Sequence, residues 1–363
     1  MQKLNIGIIG AGFIGQLAHL MNFVEIENCN LIALAELRPI LRQKVAARFG
    51  IPHTYASHIE LLNNNDIEAV IVVTPRQLLG PTVLDCLKAK KHVLSEKPMA
   101  GSSEQGQRLL DEAKKQQVQY VVGYMKRYDE GVNIAKNALS EALQSDCLGT
   151  LLAVHARCYM GNSYCNAYGH ITTEEKPHYP LEGWSIAPHW LPERYHQPFS
   201  FFVNTYSHVT NLLSYLFRET PSVEFVNLTD HPGQLTVLKF KKFLATLETG
   251  KMSHQGWSEE VRIIFSNGEI NIFLPPALLR NVPASVEIYR AGKIQEHVRP
   301  YVNWTWSFFN QAEAFVNDVL GKKTSRNTAE EALKEIRLHE AIWKAEINRL
   351  ETSHITNVTR CES

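Results

Sequence analysis

A glycine-rich turn near the N-terminus constrains the fold of this chain more than any other feature. Gly10, Gly12 and Gly15 have the G-x-G-x-x-G spacing and follow a β-branched run over residues 6–9, as at a junction between a strand and a helix. The first glycine permits a tight turn, the second leaves room for a pyrophosphate, and the third lets the helix pack closely on the strand. The sequence therefore predicts a dinucleotide site here, with Phe13 and Ile14 in its wall.

An acidic residue at the end of the next apolar run completes this pattern. Glu36 closes the run over residues 31–35, about twenty residues after the glycines, where a carboxylate can bind the ribose hydroxyls. Because a carboxylate repels a 2′-phosphate, Glu36 favours NAD. Arg38 offers the alternative, since an arginine two residues later can bind that phosphate. The expected cofactor is NAD, with NADP as the alternative.

Length, charge and cysteine content bound the class of protein. A chain of 363 residues exceeds one ordinary core, so two domains are expected. Basic and acidic residues number 37 each, which argues against nucleic acid or a membrane as a partner. The six cysteines are scattered without Cys-x-x-Cys spacing, and no N-terminal leader is evident. A reduced, cytoplasmic protein is therefore expected.

Residues 1–123 alternate strand and helix patterns, which indicates a parallel sheet. Ligands of such sheets lie beyond the carboxyl ends of the strands. Gly10, Glu36, Thr74 and Lys97 are therefore expected to face one crevice. This part of the chain is assigned to a dinucleotide-binding Rossmann domain.

The pattern changes near Gly149. Residues 162–200 are rich in Pro, His, Trp and Tyr and show little periodicity. A loop of this length in a compact domain is typical of a lid or a pocket wall. A helix over 201–217 precedes several strands, with a strong hairpin pattern at Ser266-Asn267-Gly268. Residues 124–352 are assigned to a second, α+β domain with mostly antiparallel strands, and residues 353–363 to a polar tail.

Several motifs together resemble the glucose-fructose oxidoreductase, inositol dehydrogenase and rhizopine-catabolism (Gfo/Idh/MocA) family of NAD(P)-dependent oxidoreductases. The resemblance covers most of the chain and rests on residues 10–15, Thr74-Pro75, residues 92–98 with Glu96-Lys97-Pro98, residues 123–128 and residues 204–211. It implies a Rossmann domain, a large open sheet in the C-terminal domain, and a homodimer or homotetramer. It also implies cofactor contacts from Thr74, Pro75, Glu96 and Lys97.

The chain departs from the family pattern in two motifs. The family's Thr-Pro-Asn-x-x-His has Arg76 and Leu79 at its last conserved positions here. Its Asp-x-Gly-x-His-x-x-Asp reads Asn204, Tyr206, His208 and Asn211. Only the histidine is retained, and both acids have become amides.

Two residues are candidates for the proton transfer that accompanies hydride transfer. Lys97 follows the fifth strand into the crevice, and His208 titrates near neutrality. Asn204 brings no charge to His208, so Lys97 is expected to carry more of the proton transfer. The alternative is that His208 only binds a substrate hydroxyl and Lys97 pairs with Glu96.

Substrate contacts are predicted from Arg127, Tyr128, Asn204 and the stretch 159–190, including Trp184, which can stack on a sugar. Two alternatives are open: Arg127 can brace the domain junction, and Trp184 can anchor its own loop. The scattered histidines lack the pairing of metal ligands, so no metal is expected.

The expected activity is hydride transfer between a nicotinamide cofactor and the hydroxyl or ketone carbon of a sugar, sugar nucleotide or cyclitol. Two alternatives use the same fold. Because both acids are lost, a non-catalytic dinucleotide sensor or regulator is one alternative. The other is a glycosidase that transiently oxidises its sugar through tightly held NAD.

Overall fold

The structure, a computed structural model, describes residues 2–177 and 182–361, with side chains described up to residue 352. By its internal contacts the chain divides into two units. The first unit comprises Met1–Tyr128, Ala167–Asn204 and Trp306–Ile336, and the second comprises Asp129–Asn166, Thr205–Thr305 and Arg337–Ser363. The first unit therefore contains two segments from later in the chain besides the N-terminal region. The domain boundaries at residues 123 and 352 stay predictions.

The first unit is built on a six-stranded sheet in which every pair of neighbouring strands is parallel. Its strands are β1 (Leu4–Ile9), β2 (Cys29–Ala35), β3 (His53–Tyr55), β4 (Ala69–Val72), β5 (His92–Ser95) and β6 (Tyr120–Val122). Their order is β3-β2-β1-β4-β5-β6. The order reverses between β1 and β4, and ligands of doubly wound sheets bind at that point. The predicted parallel sheet is confirmed.

Helices cover both faces of this sheet. They are α1 (a π-helix over Gly15–Leu20 followed by an α-helical turn over Met21–Phe23), α2 (Pro39–Phe49), α3 (His58–Leu62), α4 (Arg76–Lys88) and α5 (Ser103–Gln116). Val70 and Val72 of β4 pack in one buried cluster with Leu87 and Leu109. The opposite cluster contains Ile6, Ile8 and Phe315. Burial on both faces explains why these strands are almost continuously apolar.

The second unit contains an eight-stranded sheet in the order β14-β13-β12-β11-β7-β10-β9-β8. Its strands are β7 (Leu151–Met160), β8 (Ser222–Asn227), β9 (Gln234–Lys239), β10 (Leu244–Lys251), β11 (Trp257–Phe265), β12 (Gly268–Phe273), β13 (Ser285–Arg290) and β14 (Glu296–Val298). Only the β7–β10 pair is parallel. Phe265 pairs with Gly268 across the predicted hairpin, so the mostly antiparallel second sheet is confirmed.

The remaining helices are α6 (Glu130–Ser145), α7 (His196–Phe217), α8 (Ser307–Leu320) and α9 (Ala329–Cys361). The sequence pattern did not reveal α6, because its buried stripe of Gly131, Val132, Ala135, Leu139 and Ala142 consists mainly of small residues with little contrast to the exposed face. Helix α9 extends into the predicted tail 353–363, whose side chains lie outside the described part. Within the described residues no helix has the length and apolarity to cross a membrane.

Candidate active site

The glycine turn has the geometry that its spacing predicts. Gly10 has a φ of +97°, and a Cβ there would lie 2.1 Å from the carbonyl oxygen of Val73. A Cβ on Gly15 would lie 2.6 Å from the carbonyl oxygen of Gly10. On Gly12, a Cβ would meet no described atom within 4 Å. Glycine is therefore required at the first and third positions, and the second faces open space that a pyrophosphate can enter.

Glu36 is fixed at the carboxyl end of β2 and is 6% exposed. Its Oε2 accepts a hydrogen bond of 2.9 Å from the Ala11 backbone N–H. The Arg38 side chain donates to both carboxylate oxygens, at 2.8 and 3.0 Å. Burial raises the pKa of Glu36, but these hydrogen bonds outweigh it and lower the pKa overall. Glu36 is therefore an oriented, ionised carboxylate next to the glycine turn.

A cavity of about 500 Å³ lies over this turn. It brings together all nine predicted cofactor residues outside the Glu96-Lys97 pair: Gly10, Gly12, Phe13, Ile14, Gly15, Glu36, Arg38, Thr74 and Pro75. Ser57, His58, Leu78, Thr82 and Pro177 also line it and were not predicted. The buried Thr74 Oγ1 has no hydrogen-bond partner among the described residues. An unpaired buried hydroxyl and the open space over Gly12 both fit a polar ligand here.

Residues 169–177, which we call the strap, contact residues beside this cavity, and Pro177 lines it. Gln16 exchanges hydrogen bonds with the backbone N–H and carbonyl of Ile171, at 2.7 and 2.9 Å. His170 contacts the Phe13 ring edge to face, with centroids 4.9 Å apart. The strap thus contacts the dinucleotide side through His170, Ile171 and Pro177, while the substrate role of the stretch 159–190 stays a prediction.

Glu96 follows β5 and is held by a buried histidine. Its Oε1 lies 2.8 Å from Nε2 of His19, and its Oε2 accepts a 3.2 Å hydrogen bond from the Lys97 backbone N–H. Burial raises the pKa of Glu96, but the hydrogen bond with His19 and the neighbouring positive charges lower it overall. Glu96 therefore orients the backbone that carries Lys97. Neither Glu96 nor Lys97 lines the dinucleotide cavity.

The side chain of Lys97 reaches helix α7. Its Nζ donates to the backbone carbonyl of Asn204 at 2.5 Å and to Oδ1 of the same residue at 3.2 Å. Burial lowers the pKa of Lys97 to about 8; Glu96 opposes this shift, and the charges of Arg76 and Lys126 add to it. A lysine with this pKa is partly neutral near physiological pH and can exchange a proton with a carbinol.

Arg76 and Lys126 were not among the predicted site residues. Arg76 opens α4, and its Nη1 donates to the carbonyl oxygen and the hydroxyl of Ser200, at 2.7 and 2.5 Å. Lys126 is 6% exposed and influences Lys97 electrostatically. Two sequence features pointed to this group: the departure from the family pattern at Arg76, and the motif over residues 123–128 that contains Lys126.

Arg127 and Tyr128 are both buried in the first unit. Nη1 of Arg127 donates to the carbonyl of Arg326 at 3.0 Å and lies 3.7 Å from the Glu331 carboxylate. The ring of Tyr128 lies 5.4 Å from the Arg326 guanidinium. These contacts are to residues of the same unit, so both the substrate role and the bracing of a domain junction stay predictions for Arg127.

Trp184 packs on the first unit through contacts that anchor its loop. Its backbone N–H donates to the carbonyl of Gln77 at 2.8 Å. A Cβ on Gly80 would lie 2.3 Å from its ring, and the Arg108 guanidinium lies 5.3 Å from the ring centroid. These contacts support the anchoring alternative over stacking on a sugar.

His208 lies on α7 one turn after Asn204, and it belongs to the second unit. It is half-buried, whereas Asn211 is 1% exposed. Tyr206 is buried, and burial raises the pKa of its phenol, which stays protonated. Among the described residues no three His, Cys, Asp or Glu side chains are grouped to hold a metal ion.

The reversing parallel sheet, the glycine turn and the oriented acid define a Rossmann dinucleotide-binding protein. Residues 4–124 match the Gfo/Idh/MocA family model, described as an oxidoreductase family with an NAD-binding Rossmann fold. This segment, about a third of the chain, is therefore similar to that family, and the predicted nicotinamide cofactor agrees with the NAD-binding fold that the family model describes.

Curated relatives match over part of their length. The myo-inositol 2-dehydrogenase of Thermotoga maritima is 31% identical over 146 residues, which cover 40% of this chain and 42% of the relative. The levoglucosan dehydrogenase of Pseudarthrobacter phenanthrenivorans is 29% identical over 149 residues, with coverages of 39% and 38%. The matched region thus spans about two fifths of each relative.

Solved structures match over nearly the whole chain. An aldose-aldose oxidoreductase from Caulobacter crescentus, complexed with glycerol, has a TM-score of 0.73 at 19% identity, covering 96% of this chain and 98% of the other. A levoglucosan dehydrogenase in complex with NADH and levoglucosan has a TM-score of 0.71 at 18% identity, with the same coverages. At these identities the likeness shows that the fold is shared.

Proposed function

We propose that the protein is an NAD(H)-linked oxidoreductase that acts on the hydroxyl or ketone carbon of a sugar, sugar nucleotide or cyclitol. The observation that carries this proposal is Lys97, a lysine with a pKa of about 8 at the carboxyl end of a strand in an NAD-binding fold. Lys97 is the general base in oxidation and the general acid in reduction. The dehydrogenases among the matched relatives support this class of reaction.

The residues around the dinucleotide cavity would hold the cofactor, which supplies or accepts the hydride when bound. The glycines and the start of α1 would receive the pyrophosphate, because free amides and the positive end of the helix dipole favour phosphate there. Glu36 would accept hydrogen bonds from the ribose hydroxyls. Thr74 and Pro75 would bound the cavity at the end of β4.

Proton transfer falls mainly to Lys97. In oxidation its neutral amine takes the hydroxyl proton as hydride leaves the same carbon, and in reduction its ammonium returns a proton to the carbonyl oxygen. Asn204 orients the amine through two neutral acceptors, and Glu96 fixes its backbone. His208 contributes less to the proton transfer, because Asn204 has no carboxylate that would stabilise an imidazolium at His208.

A steady-state assay with a panel of sugars, sugar nucleotides and cyclitols tests this function. The dehydrogenase changes nicotinamide absorbance in proportion to product. The glycosidase alternative instead releases an aglycone without net absorbance change, and the sensor alternative binds NADH without turnover. Dinucleotide binding without any turnover across the panel would overturn the proposal in favour of the sensor.

We also propose that the protein acts in the cytoplasm as a homodimer or homotetramer. The family resemblance and the large open sheet of the second unit support assembly. Light scattering on the purified protein gives the mass directly, and a monomer at working concentration would overturn this part of the proposal.

A further inference from the structure

Three cations follow the carboxyl ends of three adjacent strands in the first unit. Strands β4, β5 and β6 are neighbours in the sheet. Arg76 comes shortly after β4, Lys97 after β5 and Lys126 after β6. Because the carboxyl ends of parallel strands lie at one edge of the sheet, these side chains originate side by side where ligands of such sheets bind.

Two of these cations contact one face of helix α7. Arg76 binds Ser200 and Lys97 binds Asn204, four residues further along. Residues four apart share a helix face and are separated by a rise of roughly 6 Å. The guanidinium and the ammonium therefore lie about one sugar ring apart, on the order of 6 Å.

Like charges act on the Lys97 ammonium from two sides of the sequence. Among the described residues, Arg76 and Lys126 act on Lys97 as like charges, and Glu96 opposes them. Glu96 is already engaged by His19 and by the Lys97 backbone N–H. Of the two cations that act on Lys97, Arg76 is exposed and Lys126 is buried, so Arg76 is the one that a ligand can reach.

Arg76 retains donors for such a ligand. Among the described residues only its Nη1 is hydrogen-bonded, and the residue is exposed. Its Nε and Nη2 form the edge of a planar fork that matches a carboxylate or a phosphate. The departures from the family pattern also change the local charge, since Arg76 stands where the family has an asparagine and Asn204 stands where it has an aspartate. Each change makes the site more positive.

We propose that the substrate carries an anionic group, a carboxylate or a phosphate. Arg76 binds this group, while Lys97 exchanges a proton with a carbinol about one sugar ring away. This inference rests on the proposed oxidoreductase function and specifies its substrate class. Sugar acids and sugar phosphates share the required chemistry. Neutral polyols lack an anionic group for the remaining donors of Arg76, so they should bind less well.

The test compares glucuronate, glucose 6-phosphate, glucose and myo-inositol as substrates of the wild type and three variants. Arg76→Gln removes the charge, Arg76→Lys keeps it without the fork, and Lys88→Gln removes an exposed charge from the other end of the same helix. Turnover is measured with NAD, and NADH affinity is titrated in parallel. The thermal shift that each sugar gives to the NADH complex reports binding without turnover.

We expect at least one anionic sugar to exceed the neutral sugars in kcat/KM by tenfold or more. Arg76→Gln should abolish most of that preference at unchanged NADH affinity, Arg76→Lys should keep part of it, and Lys88→Gln should keep all of it. A higher kcat/KM with glucuronate would indicate a carboxylate as the anionic group, and a higher kcat/KM with glucose 6-phosphate would indicate a phosphate.

Three results would overturn the inference. Preferred oxidation of the neutral sugars would refute it and leave the oxidoreductase function standing. Equal losses of NADH affinity and of anion preference in Arg76→Gln would assign Arg76 to the cofactor instead. If no sugar is oxidised and none stabilises the NADH complex, both the inference and the proposed function fail.

Discussion

Nζ of Lys97 donates to both oxygens of Asn204, the backbone carbonyl at 2.5 Å and Oδ1 at 3.2 Å. Both acceptors are neutral, so they orient the amine without strongly favouring its charged form. An aspartate at this position, as in the family pattern, would form an ion pair with Lys97 and raise its pKa. The replacement of aspartate by asparagine therefore helps to keep the pKa of Lys97 at about 8.

The pKa of Lys97 predicts opposite pH profiles for the two directions of the reaction. Oxidation needs the neutral amine, so its kcat should rise with pH through an inflection near 8 and then level off. Reduction needs the ammonium, so its kcat should fall through the same inflection. Asn204→Asp should move both inflections to higher pH. Profiles of kcat at saturating cofactor check this, and an unchanged inflection in Asn204→Asp would contradict it.

Lys97→Met should lower kcat by about 10²–10⁴-fold, the usual contribution of a general acid or base. His208→Ala should lower it less, because no carboxylate on α7 supports an imidazolium at His208. NADH affinity, measured by fluorescence titration, serves as the control and should stay near the wild-type value in both variants. A larger loss in His208→Ala than in Lys97→Met would reverse the assigned roles.

Local chemistry made much of the first unit predictable from the sequence. The glycine turn, the end of α2 at Gly50 and the cap of α3 each depend on neighbouring residues. Gly50 has a φ of +64° as the residue after α2, and Ser57 Oγ accepts the Glu60 backbone N–H at 3.2 Å. Such features are fixed by short-range sterics and hydrogen bonds, so the sequence reveals them directly.

The parts of the site that depend on distant packing were not predictable. The direction of the Arg127 side chain is set by Arg326 and Glu331, about two hundred residues away in the chain. The strap reaches the dinucleotide cavity through contacts with Gln16 and Phe13. These contact partners do not lie in one sequence motif with the residues they contact. Hydrophobic periodicity and turn residues therefore do not predict the contacts.

Glu36→Ala should shift cofactor preference toward NADP. The change removes both the acceptor for the ribose hydroxyls and the charge that repels a 2′-phosphate, and it frees the Arg38 side chain from its bonds to Glu36. We expect NADH affinity to fall by about tenfold, or about 1.4 kcal/mol, with tighter NADPH binding. Titrations of both cofactors measure this, with the exposed Glu27→Ala as control. Unchanged discrimination would show that Glu36 does not face the ribose.

Arg127→Met should destabilise the fold and leave KM near the wild-type value. The variant leaves the carbonyl of Arg326 without its buried donor, which costs about 1–3 kcal/mol in the free energy of unfolding. Thermal or denaturant unfolding measures the loss, and steady-state kinetics on the same sample measure KM. A raised KM at unchanged stability would restore Arg127 to the substrate contacts predicted from the sequence.

The strap should retain the bound cofactor, because it is tied to residues on two sides of the dinucleotide cavity. Glu175 accepts hydrogen bonds from the backbone N–H groups of Ile40 and Leu41, at 2.9 and 3.0 Å. These are the first free amides of α2, where a carboxylate also complements the helix dipole. Arg38, which lines the cavity, immediately precedes this helix.

Glu175→Gln should therefore loosen the strap and speed NADH release several-fold. Ile40 and Leu41 donate to different oxygens of Glu175, whereas a glutamine keeps one acceptor oxygen, has a donating NH2 group in place of the other, and carries no charge. Glu174→Gln is the matched control: it removes the same charge from the adjacent, exposed residue and should leave the release rate unchanged. Stopped-flow displacement of NADH by excess NAD measures both rates, and melting temperatures confirm that both variants are folded. Equal release rates in the two variants would show that the anchored strap does not limit the escape of the cofactor.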